Sequence, residues 1–375
     1  MRKLITSHLK KLDWILLVLA TLITVLGLVV LYSLSLSWEN WVYFRNQIIF
    51  LLIGIVIVLC LSFLDIEALK ESSAFVFVLY FFCLIVLAGL FFFASEIRGT
   101  KSWYSFGSFR FEPVEITKII FILFFAKYFS QRYVEMYQAR HIFISAIYAF
   151  IPSLLVFFQP DFGSAMILVI LWFGILLTSG IKQKHILMIM VIGLFLLFLI
   201  WNLFLTEEQK TRFSTFLEPY INPEGEYLDP QGTGYHIRQS IIAVGSGGIF
   251  GKGPFQPLTQ AKLGFLPEAH TDFIFATFAE MFGLFGIFVL FLLFALFFFR
   301  LLTIAKNCKN NFSRLLVSGF MILVGAEVFI NIAMNIGILP ITGLPLPFLS
   351  YGGSSLLSLF IGIGIIESIK SHISI

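Results

Sequence analysis

Residues Gly232 to Asp272 read GTGYHIRQSIIAVGSGGIFGKGPFQPLTQAKLGFLPEAHTD and run directly into an apolar pattern that begins FIFA. They form the polar half of the only long hydrophilic interval, residues 206–270, in an otherwise apolar chain. The stretch carries three cations (Arg238, Lys252, Lys262), two carboxylates (Glu268, Asp272) and two histidines (His236, His270). The last of these carboxylates, Asp272, lies where the hydrophilic interval meets the apolar pattern, at the boundary between water and lipid. The functional interpretation of the chain depends on the role of this carboxylate.

The composition is that of a polytopic membrane protein. Of 375 residues, 59% are hydrophobic and only 12% are charged, whereas a soluble domain carries about a quarter charged residues. Unbroken runs of Phe, Leu and Ile indicate lipid-facing helices, because barrel strands would alternate polar and apolar residues. The cations are scattered over loops and form no basic stripe, which excludes nucleic acid as a partner.

Ten apolar segments lie near the ~20 residues that span a bilayer. We therefore predict an all-α polytopic membrane protein with about ten transmembrane helices, organised as a single integral membrane domain over residues 1–375. The predicted spans are 14–36, 46–64, 74–94, 113–130, 142–158, 162–180, 184–205, 271–300, 313–338 and 350–371.

The cations of the short loops predict the orientation. Fourteen lie in the segments on the side of the N-terminus and four lie in the short loops opposite. Both termini are therefore expected to be cytoplasmic, and residues 206–270 are expected to form a large extracytoplasmic loop between helices 7 and 8.

Asp272 is the strongest candidate for chemistry. Thr271 is a plausible N-cap, which would place Asp272 in the first turn of the eighth helix. There it could accept a hydroxyl proton as a general base. The alternative is a carboxylate that only complements the helix dipole.

A second carboxylate, Glu280, lies eight residues further on, roughly 12 Å deeper by helical rise. It could face the same cavity or bond a neighbouring helix. Since a buried carboxylate is costly in lipid, a partner is expected, and Glu327, Asn331 and Asn335 are the candidates.

Glu115 and Lys118 share a helix face after Pro113, which suits a first turn. They predict either an intrahelical ion pair or a site for a charged head group.

The six glycines between Gly245 and Gly264 could cradle phosphate through backbone N–H groups or allow close packing. Both interpretations stay open. No Cys/His cluster has metal-ligand spacing.

Five stretches together resemble one family. These stretches are EPVEITK (112–118), QPDFGSA (159–165), GYHIRQSIIAVGSGGIFGKG (234–253), FLPEAHTDFIFA (265–276) and GLPLPFLSYGGSS (343–355). In this order along the chain, they are similar to the SEDS family of bacterial cell-wall polymerases. Within it the chain is more similar to the RodA branch than to the FtsW branch. Glu112 and Val114 depart from the family's usual Gln and Ser.

The resemblance implies a peptidoglycan glycosyltransferase, a multi-pass protein of the bacterial cytoplasmic membrane. Such an enzyme polymerises lipid II at the outer face for cell elongation and shape, beside a class B penicillin-binding protein. The family's essential aspartate maps to Asp272. Alternatives are a lipid II flippase, a non-catalytic scaffold, an FtsW-like septal polymerase or, more distantly, an O-antigen ligase or polymerase.

The candidate substrate-binding residues come from two parts of the sequence, residues 112–118 and residues 238–280 around this aspartate. Arg238, Lys252, Lys262 or Lys118 could offset charge on the leaving pyrophosphate, and a divalent cation bridging the pyrophosphate is compatible with the sequence, which has no dedicated metal site. The full candidate set is Glu115, Lys118, Arg238, Lys252, Lys262, Glu268, His270 and Glu280.

Overall fold

The computed structural model describes residues 8–94, 100–107, 109–132, 138–203 and 233–373. Within these residues the chain forms eleven α-helices and one antiparallel hairpin, β1 (Tyr104–Phe106) with β2 (Phe109–Phe111). The helices are α1 (Trp14–Trp38), α2 (Val42–Ser62), α3 (Ser73–Phe93), α4 (Pro113–Gln131), α5 (Ala139–Phe157), α6 (Phe162–Thr178), α7 (Gln183–Leu203), α8 (Thr233–Ser246), α9 (Ile274–Asn307), α10 (Asn311–Asn335) and α11 (Gly353–Ile373).

Each of the ten predicted segments overlaps one of these helices, so the all-helical prediction is confirmed apart from the small hairpin. Among the described helices, seven are long and apolar enough to cross a membrane by length and composition. The number of ten spans therefore stays a prediction. The acidic segment Glu218–Gln231 lies outside the described residues.

Helix α4 lies at the centre of the molecule. It packs against α3, α6, α10 and α11, and almost all of its side chains are buried. A helix whose side chains are buried on all sides is enclosed by other helices and does not face lipid. Its Phe121, Phe124, Phe125 and Phe129 form the middle of the buried core.

Helix α9 is broken at Gly283, whose φ of 65° and ψ of −163° are not helical. The described part of the hydrophilic interval fills this break. The N–H of Lys252 donates to the carbonyl of Glu280 (2.9 Å), and the N–H of Leu284 donates to that of Gly248 (2.9 Å). Irregular backbone at membrane depth must be satisfied by protein, and here the break and the loop satisfy each other.

Helix α8 and residues 247–254 therefore run alongside α9. Their contacts with Glu280–Phe285 lie roughly 10–15 Å along the helix from its first residue, at 1.5 Å per residue. The extracytoplasmic assignment of 206–270 stays a prediction. The described part of this interval reaches about two to three helical turns down the side of α9.

The opposite end of the molecule has an ionic cluster centred on the buried Asp13. The Arg300 Nε donates to both carboxylate oxygens of Asp13 (2.8 and 2.7 Å), and Lys370 Nζ donates to one of them (2.9 Å). Burial alone would raise the pKa of Asp13, but the bonds from Arg300 and Lys370 outweigh it and lower the pKa. The cluster joins the ends of α1, α9 and α11.

Candidate active site

Asp272 lies in a turn that precedes α9, and it is half-buried. The prediction of Asp272 in the first helical turn with Thr271 as N-cap is wrong. The helix begins at Ile274, and its N-cap position, Phe273, makes no side-chain capping bond. The physical reason is a turn at Glu268, which has a φ of 53° and whose carbonyl accepts the N–H groups of Thr271 (3.1 Å) and Phe273 (3.2 Å).

Two asparagines hold the backbone of Asp272. The Nδ2 groups of Asn331 and Asn335 each donate to the carbonyl of Asp272 at 2.9 Å. Both side chains are buried and lie one turn apart on α10. Asn331 also donates to the carbonyl of Leu344 (2.7 Å), so one residue fixes both loops that border the carboxylate.

The loop before α11 holds the two residues that precede Asp272. Ser350 Oγ donates to the carbonyl of Thr271 (2.7 Å), and the N–H of Tyr351 donates to the carbonyl of His270 (2.9 Å). A β-carbon placed on Gly343 would lie 3.9 Å from Oδ2 of Asp272. The carboxylate therefore faces the proline-rich loop of residues 339–352. Hydrogen bonds hold the backbone of the Asp272 turn and of this loop against each other.

The two other candidates of this turn have different surroundings. The Glu268 carboxylate accepts a bond from Thr271 Oγ1 (2.9 Å). The His270 ring lies among three aromatic rings, with centroid distances of 4.2 Å to Tyr43, 5.7 Å to Trp38 and 5.9 Å to Tyr351.

Lys118 is fully buried between two carboxylates. Its Nζ lies 2.8 Å from Oε1 of Glu115 on α4 and 2.8 Å from Oε1 of Glu327 on α10. The predicted pair of Glu115 and Lys118 is thus part of a triad. Glu327 as a partner of Glu280 is wrong, because α4 packs against α10 and brings the lysine to Glu327.

Two further carboxyl groups lie beside this triad, at the ends of the loops before α4 and α6. Burial, reinforced by the nearby Glu115, holds the pKa of Glu112 well above its usual range. Burial also raises the pKa of Asp161. The Trp103 Nε1 donates to Glu112 (3.2 Å). This crowding was missed from the sequence, where Glu112 stood out only as a departure from the family pattern.

Glu280 is completely buried and binds the loop beside α9. Its carboxylate accepts bonds from Lys252 Nζ (2.6 Å), from the N–H of Gln260 (2.9 and 3.0 Å) and from Ser246 Oγ (3.4 Å). The expected partners on α10 are therefore wrong in all three cases, since Asn331 and Asn335 hold Asp272 instead. The i, i+4 spacing of the asparagines was visible, but their target was not.

Lys262 and Arg238 complete the candidate cations. Lys262 Nζ donates to the carbonyls of Pro254 (2.7 Å) and Gln256 (3.0 Å), and burial lowers its pKa. Arg238 lies exposed on α8.

The glycines of this region divide into two kinds. A β-carbon on Gly247 would overlap the carbonyl of Ala279, and one on Gly251 would overlap that of Met281. Close packing thus accounts for these two. Gly245, Gly248 and Gly253 have open space around them. Among the residues that the structure describes, no group of three or more His, Cys, Asp or Glu could hold a metal ion.

Residues 13–375 match the family model described as "Cell cycle protein", FtsW/RodA/SpoVE. The chain belongs to this family. It is 37% identical to the peptidoglycan glycosyltransferase MrdB of Escherichia coli strain K12 over 78% of this chain and 77% of that protein. It is 30% identical to the stage V sporulation protein E of Bacillus subtilis strain 168, over 96% and 97% of the two chains.

Solved structures agree with the family. One chain of a solved peptidoglycan synthase complex, described as "Structural coordination of polymerization and crosslinking by a peptidoglycan synthase complex", superposes with a TM-score of 0.79 and 27% identity, covering 96% of this chain and 98% of that one. The crystal structure of Thermus thermophilus RodA gives a TM-score of 0.69 at 28% identity, over 96% of each chain. The predicted polytopic membrane fold of the FtsW/RodA/SpoVE family is thereby confirmed.

Proposed function

We propose that this family member is a peptidoglycan glycosyltransferase that polymerises lipid II for cell elongation and shape, with Asp272 as its general base. One observation carries the residue assignment. The backbone of residues 270–272 is held from two sides, by asparagines of α10 and by the loop before α11. Such preorganisation is what a general base needs to meet a hydroxyl at a fixed position.

In the proposed reaction, the 4-hydroxyl of the acceptor sugar attacks the anomeric carbon of the donor. The new bond joins that oxygen to the anomeric carbon, and the bond from the anomeric carbon to the pyrophosphate oxygen breaks. Asp272 receives the hydroxyl proton, while undecaprenyl pyrophosphate leaves with the electron pair. The configuration inverts, as an α-linked donor and a β-1,4 product require.

The proposed residue for the leaving pyrophosphate follows from charge. The charges of Lys118 and Lys252 are already offset by carboxylates. Lys262 binds carbonyl oxygens, which are neutral acceptors. We therefore favour Lys262 for stabilising the developing negative charge.

A class B penicillin-binding protein is the proposed partner. The support is the similarity to a chain of the solved synthase complex, in which polymerisation and crosslinking are coordinated.

The decisive experiment compares purified wild-type protein with Asp272→Asn, each with the penicillin-binding partner and lipid II. Removal of a general base typically costs 10²- to 10⁴-fold in rate, so we expect loss of polymer on gels. Asp65→Asn, at an exposed position far from the site, is the matched control and should polymerise normally. A well-folded Asp272→Asn protein that makes wild-type amounts of polymer would refute the assignment.

A further inference from the structure

A cluster of aromatic rings lies next to the proposed base, and the reaction chemistry above does not use it. It consists of Trp38 at the end of α1, Tyr43 at the start of α2, His270, and Tyr351 of the loop before α11. We call these four residues the aromatic platform. All four side chains are half-buried, so each ring is fixed by neighbours and still presents part of its surface.

The platform is attached to the catalytic turn by covalent and hydrogen bonds. His270 precedes Asp272 by two residues, and its carbonyl accepts the N–H of Tyr351 (2.9 Å). The ring of Tyr43 lies 4.2 Å from that of His270 and 5.0 Å from that of Tyr351. The loop of Tyr351 is also anchored to α2, because Gln47 Nε2 donates to the carbonyl of Ser350 (2.9 Å).

We infer that the aromatic platform is a subsite for the growing glycan strand, one that holds sugar rings flanking the glycosidic bond being made. This inference rests on the proposed function and names a binding site for its polymer. The C–H faces of pyranose rings pack on aromatic faces, while the Tyr hydroxyls and the His ring can hydrogen-bond hydroxyl and N-acetyl groups. Tyr, Trp and His each combine an apolar body with a polar tip, as such a ligand requires.

Interfacial aromatic belts are the competing explanation, since Trp and Tyr collect at membrane surfaces in general. The same helix ends contain rings that fit a belt. Trp41 and Tyr32 are 45% and 37% exposed and lie edge to face at 5.6 Å. The platform rings differ because they are half-buried and the other three lie within 6 Å of the ring of His270, two residues before the proposed base. Trp41 therefore provides the matched control.

The strand-length distribution distinguishes the two explanations. A subsite for the polymer retains the strand between additions, so its loss shortens strands even when the amount of coupled lipid II is matched. We expect Tyr43→Ala to shorten the mean strand length several-fold. Tyr43→Phe, which keeps the ring, should restore most of it. Tyr43→Leu, which keeps apolar bulk without an aromatic face, should remain short.

The assay is polymerisation of lipid II by the full chain with its penicillin-binding partner, followed by gel separation of strands at equal substrate consumption. Trp41→Ala should give wild-type lengths. Wild-type lengths from a folded Tyr43→Ala protein, restoration by Tyr43→Leu, or equal shortening in Trp41→Ala would each overturn the subsite. Asp272→Asn is run in parallel: if it polymerises, the proposed base fails, whereas an inactive Asp272→Asn with normal strands from Tyr43→Ala refutes the platform alone.

Discussion

At the residue scale, Lys118 is a completely buried cation, and its partners must offset the cost of removing it from water. Its ammonium group has no exposure and lies between the carboxylates of Glu115 and Glu327. Removing one member of a buried ion pair leaves an uncompensated charge and typically costs 3–5 kcal/mol. Lys118→Met would leave two buried carboxylates facing each other, so we expect loss of stability in this range and a lower thermal midpoint in detergent.

Glu327→Gln should be milder, because the pair of Lys118 with Glu115 survives and the amide can still accept a bond from the lysine. The matched control is Lys184→Met, at an exposed position of α7, which should leave the midpoint unchanged. A Lys118→Met protein as stable as the control would show that the triad contributes nothing to folding.

The Asp13 cluster predicts an acid-dependent loss of stability. Its carboxylate has a lowered pKa because the bonds from Arg300 and Lys370 outweigh the effect of burial. A depressed folded-state pKa stabilises the protein fully above the ordinary Asp value of 3.8 and loses that contribution as the pH falls through the folded-state value. The sign is therefore destabilisation by acid.

Thermal unfolding of wild type and Asp13→Asn between pH 6 and pH 2 measures this contribution. We expect Asp13→Asn to be less stable near pH 6 and the two midpoints to converge below about pH 4, the ordinary Asp pKa. Parallel curves, with a constant gap at every pH, would mean that the carboxylate charge is not what stabilises the cluster.

At the element scale, α9 depends on a glycine at its break. Gly283 has a φ of 65°, and a β-carbon there would overlap the N–H of Gly251 and the carbonyl of Ile249. Gly283→Ala would force the loop and the helix apart and break the backbone bonds they exchange. We expect little folded protein by size-exclusion chromatography of a fluorescent fusion.

Gly325→Ala on α10 is the control for this substitution. The nearest atoms to its β-carbon would lie 3.8 Å away, an ordinary contact, and Ala is the better helix former by ~1 kcal/mol. This variant should fold at least as well as wild type. Equal yields from the two variants would contradict the close approach at Gly283.

The sequence predicted the helices well, because a run of apolar residues indicates a helix buried in lipid or protein without reference to distant parts of the chain. The prediction missed the break in α9. Backbone hydrogen bonds with Gly248 and Lys252 stabilise this break, and the sequence around Gly283 does not show those distant partners. The prediction also placed Asp272 inside the helix. N-cap rules consider only neighbours in sequence, whereas the bonds that fix this turn come from Ser350 and Tyr351.

At the scale of the whole molecule, the family could be predicted from the sequence, while the partners that lie far apart in the chain could not. Glu327 meets Lys118 across 209 positions of sequence, and Asn335 meets Asp272 across 63. Such contacts depend on which helices are neighbours, and apolar periodicity does not specify that. The sequence therefore predicted the local pair of Glu115 and Lys118, but it missed Glu327 as a partner of Lys118 and gave Glu280 the wrong partners.

The orientation of the whole molecule is the prediction on which the site's access to extracytoplasmic substrate depends. It follows from fourteen loop cations on one side against four on the other. Lys101, in a loop, and Lys184, in the first turn of α7, are both exposed and lie at positions expected on opposite faces of the membrane. Each can be replaced by cysteine in a chain whose native Cys60, Cys83 and Cys308 are changed to serine.

A membrane-impermeant maleimide applied to intact spheroplasts should then label Lys101→Cys and leave Lys184→Cys unlabelled until the membrane is opened. The cysteine-free chain is the control for background labelling. The reverse pattern would place the Asp272 turn on the cytoplasmic side, because the hairpin that follows Lys101 and the turn before α9 both lie at ends of helices that the charge bias assigns to the outer face. An inward-facing site could not extend strands outside the membrane, so this measurement tests the proposed polymerase independently of any activity assay.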